Sequence, residues 1–462
     1  MQYISTRGKA KELSFEDVVI AGLASDGGLY VPEEYPVFSA TQIANLAGIS
    51  YEELFFEITK PFISGAIEDK ALKSIIKESY SSFRHQAIAP IKQLNNQEFL
   101  LELFHGPTLA FKDFALQFLG RVFDHILKKR KQNVIIVGAT SGDTGSAAIE
   151  GCRHSKHVKI FIMHPHNRVS DIQRKQMTSV IAKNVHNLAV EGNFDDCQQI
   201  VKELFADQSF LQGKTSLVAV NSINWCRIMA QIVYYFYAAL QLGTPAREIS
   251  FSVPTGNFGD IFAGYIAYKM GLPIKQLIIA TNKNDILHRC LQNNDYSKTQ
   301  LHHTLSPSMD IQISSNFERL LFDIYNKDGN ATAKLMENLK HGSFKIETAK
   351  LDNIRKLFAS DSANDEVTCQ VIKEIYIKTG EVIDPHTATG VYAARKQRKC
   401  NATPMVILAT AHPAKFNIAV EKAGLEPEAL PDFLKDLNNK QENFSVVPNN
   451  IDKIKNIITG CL

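Results

Sequence analysis

Short apolar segments alternate with longer helical segments along most of the sequence after residue 98, and this alternation restricts the possible folds more than any other feature. Short apolar runs between turn signals are typical of buried parallel strands, and the helices between them supply the crossover connections. The pattern therefore predicts an α/β protein with parallel sheets. Its expected strands are residues 134–137, 158–164, 187–191, 217–220, 249–252, 277–281 and 405–408.

Three regions depart from this alternation. Residues 1–95 contain several amphipathic helical segments and predict a separate, mainly helical module. Residues from about 285 to 365 are rich in Asn, Asp, Ser and Lys and predict a helical insertion with loops. The last forty or so residues are polar and interrupted by Pro, and we expect them to be peripheral.

Composition excludes several classes of protein. The 462 residues suggest two or three domains, and a net charge of +3 without a long basic run gives no indication of nucleic-acid binding. The seven cysteines form no Cys-x-x-Cys pair, which predicts a reducing compartment and no metal site. No run of about eighteen apolar residues occurs, so we expect a cytoplasmic protein without a membrane segment.

One lysine lies in an unusual position. Residues 104–114 read Phe-His-Gly-Pro-Thr-Leu-Ala-Phe-Lys-Asp-Phe and place Lys112 in the first turn of a predicted helix. The helix dipole and the apolar neighbours disfavour an ammonium group and lower the pKa of the amine, which suits a lysine that forms a Schiff base. The alternative is an ordinary lysine that extends from an apolar stretch into solvent.

Two glycine-rich turns follow predicted strands. Residues 138–145 read Gly-Ala-Thr-Ser-Gly-Asp-Thr-Gly and precede a helix, and residues 254–260 read Pro-Thr-Gly-Asn-Phe-Gly-Asp and precede another. Backbone N–H groups at a helix N-terminus bind anions, so each turn is a candidate anion site. The first turn lacks the Gly-Lys-Ser/Thr of a Walker A loop and the glycine spacing of a Gly-x-Gly-x-x-Gly loop.

These motifs together resemble the threonine synthase family, in its longer bacterial and fungal type. The resemblance rests on residues 104–114, 139–145, 254–260 and 409–416, and on the Gly-Leu-(x)2-Asp-Gly-Gly-Leu-(x)2-Pro pattern of residues 22–32. It implies a fold-type II, tryptophan synthase β-like enzyme that binds pyridoxal 5′-phosphate between two α/β domains. The implied domains are a large one, residues 96–132 and 243–462, and a small one, residues 133–242, beside the N-terminal module.

The resemblance also implies roles for individual residues. Lys112 is similar to the lysine that binds the cofactor covalently and acts as the catalytic base. Thr410 is similar to the hydroxyl partner of the pyridine nitrogen, and Asp143 stands where many relatives have an asparagine near the phenolic oxygen. The loop that is similar to the family's cofactor-phosphate loop consists of Gly256, Asn257, Phe258, Gly259 and Asp260.

The implied substrate is O-phosphohomoserine, which reacts with water to give threonine and phosphate. Its anionic groups need binding sites, and the candidates are Thr140, Ser141, Thr144, Asn193, Asn224 and Arg227. Helix capping is the alternative for the two asparagines, and a surface or interdomain ion pair is the alternative for the arginine. His105, His386 and His412 lie in or near the motifs, where a structural role is the more usual one.

The sequence is also compatible with two other functions. A serine or threonine dehydratase, or a phospholyase, would use the same lysine and phosphate loop but release a keto acid or another product. A binding protein that has lost the chemistry would keep the fold, although replacement of the lysine is its expected mark, and Lys112 is present. We expect a monomer or a homodimer.

Overall fold

The computed structural model describes residues 1–140, 142–213 and 215–461. Its strands are β1 Tyr3–Ser5, β2 Tyr30–Pro32, β3 Ile91–Gln93, β4 Glu98–Glu102, β5 Val134–Ala139, β6 Val158–Pro165, β7 Val185–Glu191, β8 Ser216–Val218, β9 Ile249–Pro254, β10 Ile274–Thr281, β11 Tyr296–Ser297, β12 Ser343–Phe344, β13 Phe358–Ser362, β14 Met405–Ala409 and β15 Ser445–Pro448.

The α-helices are α1 Phe15–Ala21, α2 Ala40–Asn45, α3 Tyr51–Ile63, α4 Asp69–Tyr80, α5 Lys112–Arg130, α6 Asp143–Cys152, α7 Asp171–Thr178, α8 Phe194–Ala206, α9 Trp225–Gln241, α10 Gly259–Lys269, α11 Ile286–Asn293, α12 Phe317–Ile324, α13 Gly329–Lys340, α14 Thr348–Leu357, α15 Asp365–Thr379, α16 Pro385–Gln397, α17 Asn417–Lys422 and α18 Ile451–Gly460. Short 3₁₀ helices lie at Ser209–Leu211, Pro307–Met309, Pro413–Phe416 and Asp432–Asn439. No helix of the described residues is long and apolar enough to cross a membrane.

Two sheets organise the chain. The large sheet has the order β13-β10-β9-β14-β4-β3 and is parallel except for the edge strand β3. The small sheet has the order β15-β7-β6-β5-β8 and is parallel throughout. The predicted α/β class and the seven predicted strands are confirmed, because their apolar runs are buried on both faces as the parallel arrangement requires.

The pairing of the C-terminal residues differs from the prediction. Strand β15 pairs with β7 and so belongs to the small sheet, although residues 243–462 were assigned to the large domain. Val447, Ile454 and Ile458 are buried in one apolar cluster with Ile200 and Leu204 of α8. The polar composition of this segment reflects its outer face, and its inner face carries regularly spaced apolar residues that complete the small-domain core.

Two further boundaries also differ. Helix α9 lies in the predicted small domain but packs against α3, α5 and α10 on the large-sheet side. The predicted insertion at 285–365 contains a strand of the large sheet, β13, which pairs in parallel with β10. Its sequence, Phe-Ala-Ser-Asp-Ser, is too polar to be recognised as a buried strand, because β13 is an edge strand with partly exposed side chains.

The N-terminal helices share a core with the large domain. Helix α3 packs on α9, and α4 packs on α5. The Tyr51 ring lies edge-on to Tyr80, with 5.1 Å between centroids, and to Tyr237, at 5.3 Å. One continuous apolar cluster therefore runs from the N-terminal module to the helices that flank the large sheet.

Helices α5 and α6 cross at two glycines. A Cβ atom at Gly120 would lie 2.1 Å from the Gly151 carbonyl oxygen, and one at Gly151 would lie 2.3 Å from the Leu116 carbonyl oxygen. Backbone atoms block both positions, so neither space can be made by a side-chain rotation. The close crossing fixes the first helix of the small sheet, α6, against the helix that begins with Lys112.

We expect Gly151→Ala to destabilise the protein by about 1–3 kcal/mol or more, because the added methyl group forces the helices apart. The matched control is Gly460→Ala at the end of α18, where an added Cβ meets no atom within 4 Å. The midpoints of chemical denaturation measure both effects. Equal midpoints for the two variants would contradict the proposed contact.

Candidate active site

Three adjacent strands of the large sheet bring the predicted motifs together. Strands β9, β14 and β4 are parallel neighbours, so their carboxyl ends lie at one edge of the sheet. Residues 255–258 follow β9, residues 410–412 follow β14, and residues 103–111 follow β4 and lead into α5. Such an edge is the usual binding site of an open parallel sheet.

Backbone hydrogen bonds join the loop before α5 to the loop after β14. Phe111 N donates to Thr410 O at 2.8 Å, and His412 N donates to Leu109 O at 3.1 Å. Leu109 has a φ of +59°, which is unusual for a bulky residue and is maintained only by the surrounding contacts. The two loops therefore form one rigid support beneath Lys112.

Lys112 lies between the two sheets. Its side chain is buried, and Nζ is 3.2 Å from Asp143 Oδ2 and 3.3 Å from Ser308 Oγ. Asp143 is the first residue of α6 beside the small sheet, whereas Lys112 and Ser308 belong to the large-sheet side. Burial lowers the pKa of the Lys112 amine; Asp143 opposes that shift, and the cations Lys415 and Arg227 add to it. Burial therefore makes the largest contribution to the lowered pKa of this amine. The first-turn position alone does not make the amine a nucleophile.

The loop after β9 presents unpaired backbone donors. Within the described residues, the N–H groups of Gly256, Asn257, Phe258 and Gly259 have no protein acceptor. Phe258 has a φ of +62°, and its ring is buried against Phe317. The ring therefore packs into the core, and the backbone of this residue lines the turn. Four free N–H groups at the start of α10 form an anion-binding site.

The loop is held in place from behind. Asn316 donates to the Asn257 carbonyl oxygen from both its backbone N, at 3.0 Å, and its Nδ2, at 2.9 Å. A Cβ atom at Gly256 would lie 2.9 Å from Ser308 O. Because Ser308 touches both Lys112 and the Gly256 turn, the lysine and the anion site are adjacent.

Asp260 has a different environment from the rest of this loop. Its Oδ1 accepts hydrogen bonds from Tyr234 at 2.6 Å and Tyr235 at 2.9 Å, both on α9. Burial raises the pKa of Asp260 to about 6, against the opposing effect of the two tyrosines. The side chain therefore anchors α10 to α9, and only its backbone belongs with the anion-binding loop.

Thr410 and Arg227 each have an unused buried donor. Thr410 is buried, and its hydroxyl has no protein partner among residues that the structure describes. Arg227 is 4% exposed; its Nη1 donates to Val220 O at 3.1 Å, but its Nε has no partner. In the described part of the chain no carboxylate pairs with this guanidinium, so the ion-pair alternative does not hold there. Burial lowers the pKa of Arg227 to about 10, which leaves it a cation at neutral pH.

The remaining predicted polar residues fall into three groups. Asn193 caps α8, and Asn224 caps α9 while its Nδ2 donates to Val19 O at 2.8 Å. The capping alternative therefore holds for both, and Asn224 has no free polar atom. Thr140 Oγ1 accepts from the N–H groups of Gly142 and Gly145 and shapes the turn before α6, whereas the hydroxyl of the half-buried Thr144 has no partner among the described residues. Ser141 lies outside the described residues.

The three histidines have structural contacts. His386 Nδ1 is 2.8 Å from Asp384 Oδ1, and its Nε2 accepts from Ser308 N at 3.2 Å. His105 Nε2 is 2.7 Å from Glu102, and His412 Nδ1 accepts from Ala414 N. His386 thereby fixes Ser308, and the other two fix the ends of β4 and β14.

Three residues that contact the site were missed by the sequence reasoning. Ser308 touches Lys112, Gln173 Nε2 donates to Asp143 Oδ1 at 2.9 Å, and Lys415 Nζ lies 2.7 Å from the same oxygen. Lys415 carried a usable signal, because it is a lysine in an apolar segment after a buried strand, as Lys112 is. Ser308 and Gln173 had none, because both lie far from the motifs in sequence.

Known proteins resemble this chain over its whole length. The family models that match are "Threonine synthase N terminus" at residues 2–80, "Pyridoxal-phosphate dependent enzyme" at 84–337 and "Threonine synthase, C-terminal" at 387–458. Threonine synthase of Pseudomonas aeruginosa is 60% identical over 461 residues, covering 99% of this chain and 98% of its own.

Solved structures also resemble this chain over its whole length. Pyridoxal-phosphate-bound threonine synthase from Brucella melitensis superposes with a TM-score of 0.98 and 51% identity, covering 100% of this chain and 99% of that one. The yeast enzyme gives 0.94 and 41%, covering 100% and 98%. The chain therefore belongs to the threonine synthase family of pyridoxal-phosphate-dependent enzymes.

Proposed function

We propose that this protein forms L-threonine and phosphate from O-phosphohomoserine and water, with Lys112 as its catalytic base. The observation that carries the proposal is the placement of a buried lysine amine beside four unpaired backbone N–H groups at the carboxyl ends of adjacent parallel strands. A pyridoxal-phosphate enzyme needs both features, because the cofactor is held covalently at one end and through its phosphate at the other.

The residues present fit the cofactor. Lys112 would hold it covalently, the N–H groups of residues 256–259 would bind its phosphate, and the free hydroxyl of Thr410 would face its ring nitrogen. When bound, pyridoxal phosphate withdraws electrons from the amino acid attached to it. A hydroxyl cannot keep a proton on a ring nitrogen by charge as a carboxylate does, so Thr410 favours the unprotonated ring.

Lys112 would move the protons of the reaction. Its amine is buried, its pKa is lowered, and it lies within 3.3 Å of Ser308 Oγ and 3.2 Å of an Asp143 oxygen. A base in this position can remove the α proton of the substrate and then a β proton, which allows the γ-phosphate to leave; water, the second substrate, then adds at the β carbon. Ser308, fixed by His386, is a hydroxyl within hydrogen-bonding distance of the amine.

Arg227 supports a phosphorylated substrate. Its guanidinium is buried without a carboxylate partner in the part of the chain that the structure describes, and its charge acts on the Lys112 amine. A buried cation without a counterion destabilises the folded protein. An anionic ligand bound to Arg227 compensates its charge and explains why an arginine is buried here. The Thr144 hydroxyl at the start of α6, which has no partner within the described residues, is a second donor for an anion.

A dehydratase or phospholyase remains the second candidate, because it would use the same lysine and the same loop. The unpaired Arg227 favours a substrate with an additional phosphate over serine or threonine itself.

We also propose a cytoplasmic enzyme that is a monomer or a homodimer; the seven free thiols support a reducing compartment.

The first prediction concerns the products. Purified protein with O-phosphohomoserine should release phosphate and threonine in equal amounts, and Lys112→Ala should lower the turnover by roughly 10³-fold, a typical contribution of positioned acid–base groups. Borohydride reduction and peptide mapping should place the cofactor on Lys112. Lys128→Ala, at the exposed end of the same helix, is the control and should behave as the parent. Keto acid and ammonia instead of threonine would support the lyase alternative.

The second prediction concerns the substrate anion. Arg227→Met should raise KM for O-phosphohomoserine and weaken inhibition by inorganic phosphate by about 10- to 100-fold, the effect of one charge-assisted hydrogen bond. The same variant should be at least as stable as the parent without ligand, because it removes a buried unpaired cation. Arg355→Met on α14 is the control, with unchanged KM. Lower stability with an unchanged KM would instead indicate a purely structural arginine.

A further inference from the structure

The Asp143 carboxylate lies between two lysines, and only one of them has been given a role. Oδ2 is 3.2 Å from Lys112 Nζ, and Oδ1 is 2.7 Å from Lys415 Nζ. The Lys415 side chain has no solvent exposure, and its Nζ also donates to Thr108 O at 2.7 Å. Lys415 therefore has a fixed position, with partners on both sides of the site.

The charges around Asp143 do not balance if both lysines are protonated. One buried carboxylate compensates one buried ammonium group, so a second ammonium group leaves an excess positive charge. Lys415 makes the shorter contact and is the more deeply buried, which makes it the natural counterion of Asp143. Lys112 is then the lysine whose proton can be lost without leaving the carboxylate unpaired.

The pair also removes a difficulty at Asp143. A buried carboxylate without a counterion would destabilise the folded protein. Burial alone would raise the pKa of Asp143, but Lys415 and Lys112 outweigh it and hold that pKa well below its usual range. With Lys415 as its counterion, Asp143 is an ionised acceptor whose charge is neutralised locally.

We propose that Lys415 is a positioning residue of this enzyme: its ammonium group holds and neutralises Asp143, so that the Lys112 amine is free to bind the cofactor and to act as a base. The proposal rests on the function proposed above, because it concerns the same lysine. It gives a role to a buried lysine that the sequence motifs did not single out.

Other ionisable groups surround the pair. Arg227 is the second cation, after Lys415, whose charge lowers the pKa of Lys112. Asp113 is fully buried and accepts two hydrogen bonds from Thr108, and burial raises its pKa to about 7. Burial lowers the pKa of His412 to about 4, so its ring is neutral at pH 7. Of the ionisable side chains around the site, only those of Lys112 and Lys415 contact Asp143 within the described residues.

The test is the rate at which the cofactor-free full-length protein binds pyridoxal phosphate at Lys112, measured as a function of pH by absorbance and borohydride trapping. Only the unprotonated amine reacts, so the midpoint of this profile reports on Lys112 without reference to turnover. Lys415→Met should raise the midpoint by about one pH unit or more, because a neighbouring cation is lost. Asp143→Asn should lower it, because a neighbouring anion is lost.

Opposite shifts of the midpoint in Lys415→Met and Asp143→Asn distinguish a positioning role of Lys415 from a merely structural one. The double variant Lys415→Met with Asp143→Asn should return towards the parent midpoint, and Lys415→Arg should stay near it. Lys60→Met, which removes an exposed lysine paired with Asp69 at 2.6 Å, is the control and should leave the midpoint unchanged. If Lys415→Met does not fold, Asp143→Asn and Lys415→Arg still test the proposal.

Two outcomes overturn the inference. They are an unchanged midpoint in Lys415→Met, and a shift in the same direction for both single variants. If the parent protein itself does not attach the cofactor to Lys112, the proposed function fails first. If the parent makes threonine and Lys415→Met has the parent midpoint, the proposed function stands and the role of Lys415 is refuted.

Discussion

A buried ammonium group beside a buried carboxylate is the interaction on which the site depends. Neither charge is tolerated alone in this environment, because burial penalises the ionised form of each. Lys112 and Lys415 approach Asp143 from the large-sheet side, while Asp143 is held by α6 and by Gln173 of α7 beside the small sheet. The relative position of the two sheets therefore sets the distances between Asp143 and the amines of Lys112 and Lys415.

The rest of the fold holds these two sides in place. The α5–α6 crossing brings two backbones so close that only glycine fits, and α5 begins with Lys112 while α6 begins with Asp143. The N-terminal helices pack on the outer side of α5 and α9 and extend the same apolar core. Most of this long helix is buried in the core and its first residue, Lys112, lies in the site, so the packing of the helix fixes the position of the lysine.

Much of this arrangement could be predicted from the sequence. The apolar strands and the glycine turns are local patterns, so the α/β class could be predicted from the residues alone, whereas the roles of Lys112 and the 256–259 loop were implied by the family resemblance. Strands β13 and β15 were missed, because an edge strand needs few apolar residues and its partner lies far away in the chain. The capping roles of Asn193 and Asn224 were weighed but not decided, because a cap and a ligand-binding amide have the same sequence signature. Ser308 and Gln173 reach the site only through the tertiary fold.

The last strand of the small sheet has a consequence for how the protein is made. Strand β7 ends at Glu191, and the strand that covers its open edge begins only at Ser445. At ribosomal speeds this interval corresponds to roughly 10–50 s during which the edge of a parallel sheet is exposed in the nascent chain. Unpaired edges promote aggregation, so this chain is most vulnerable during translation, before β15 emerges and closes the sheet.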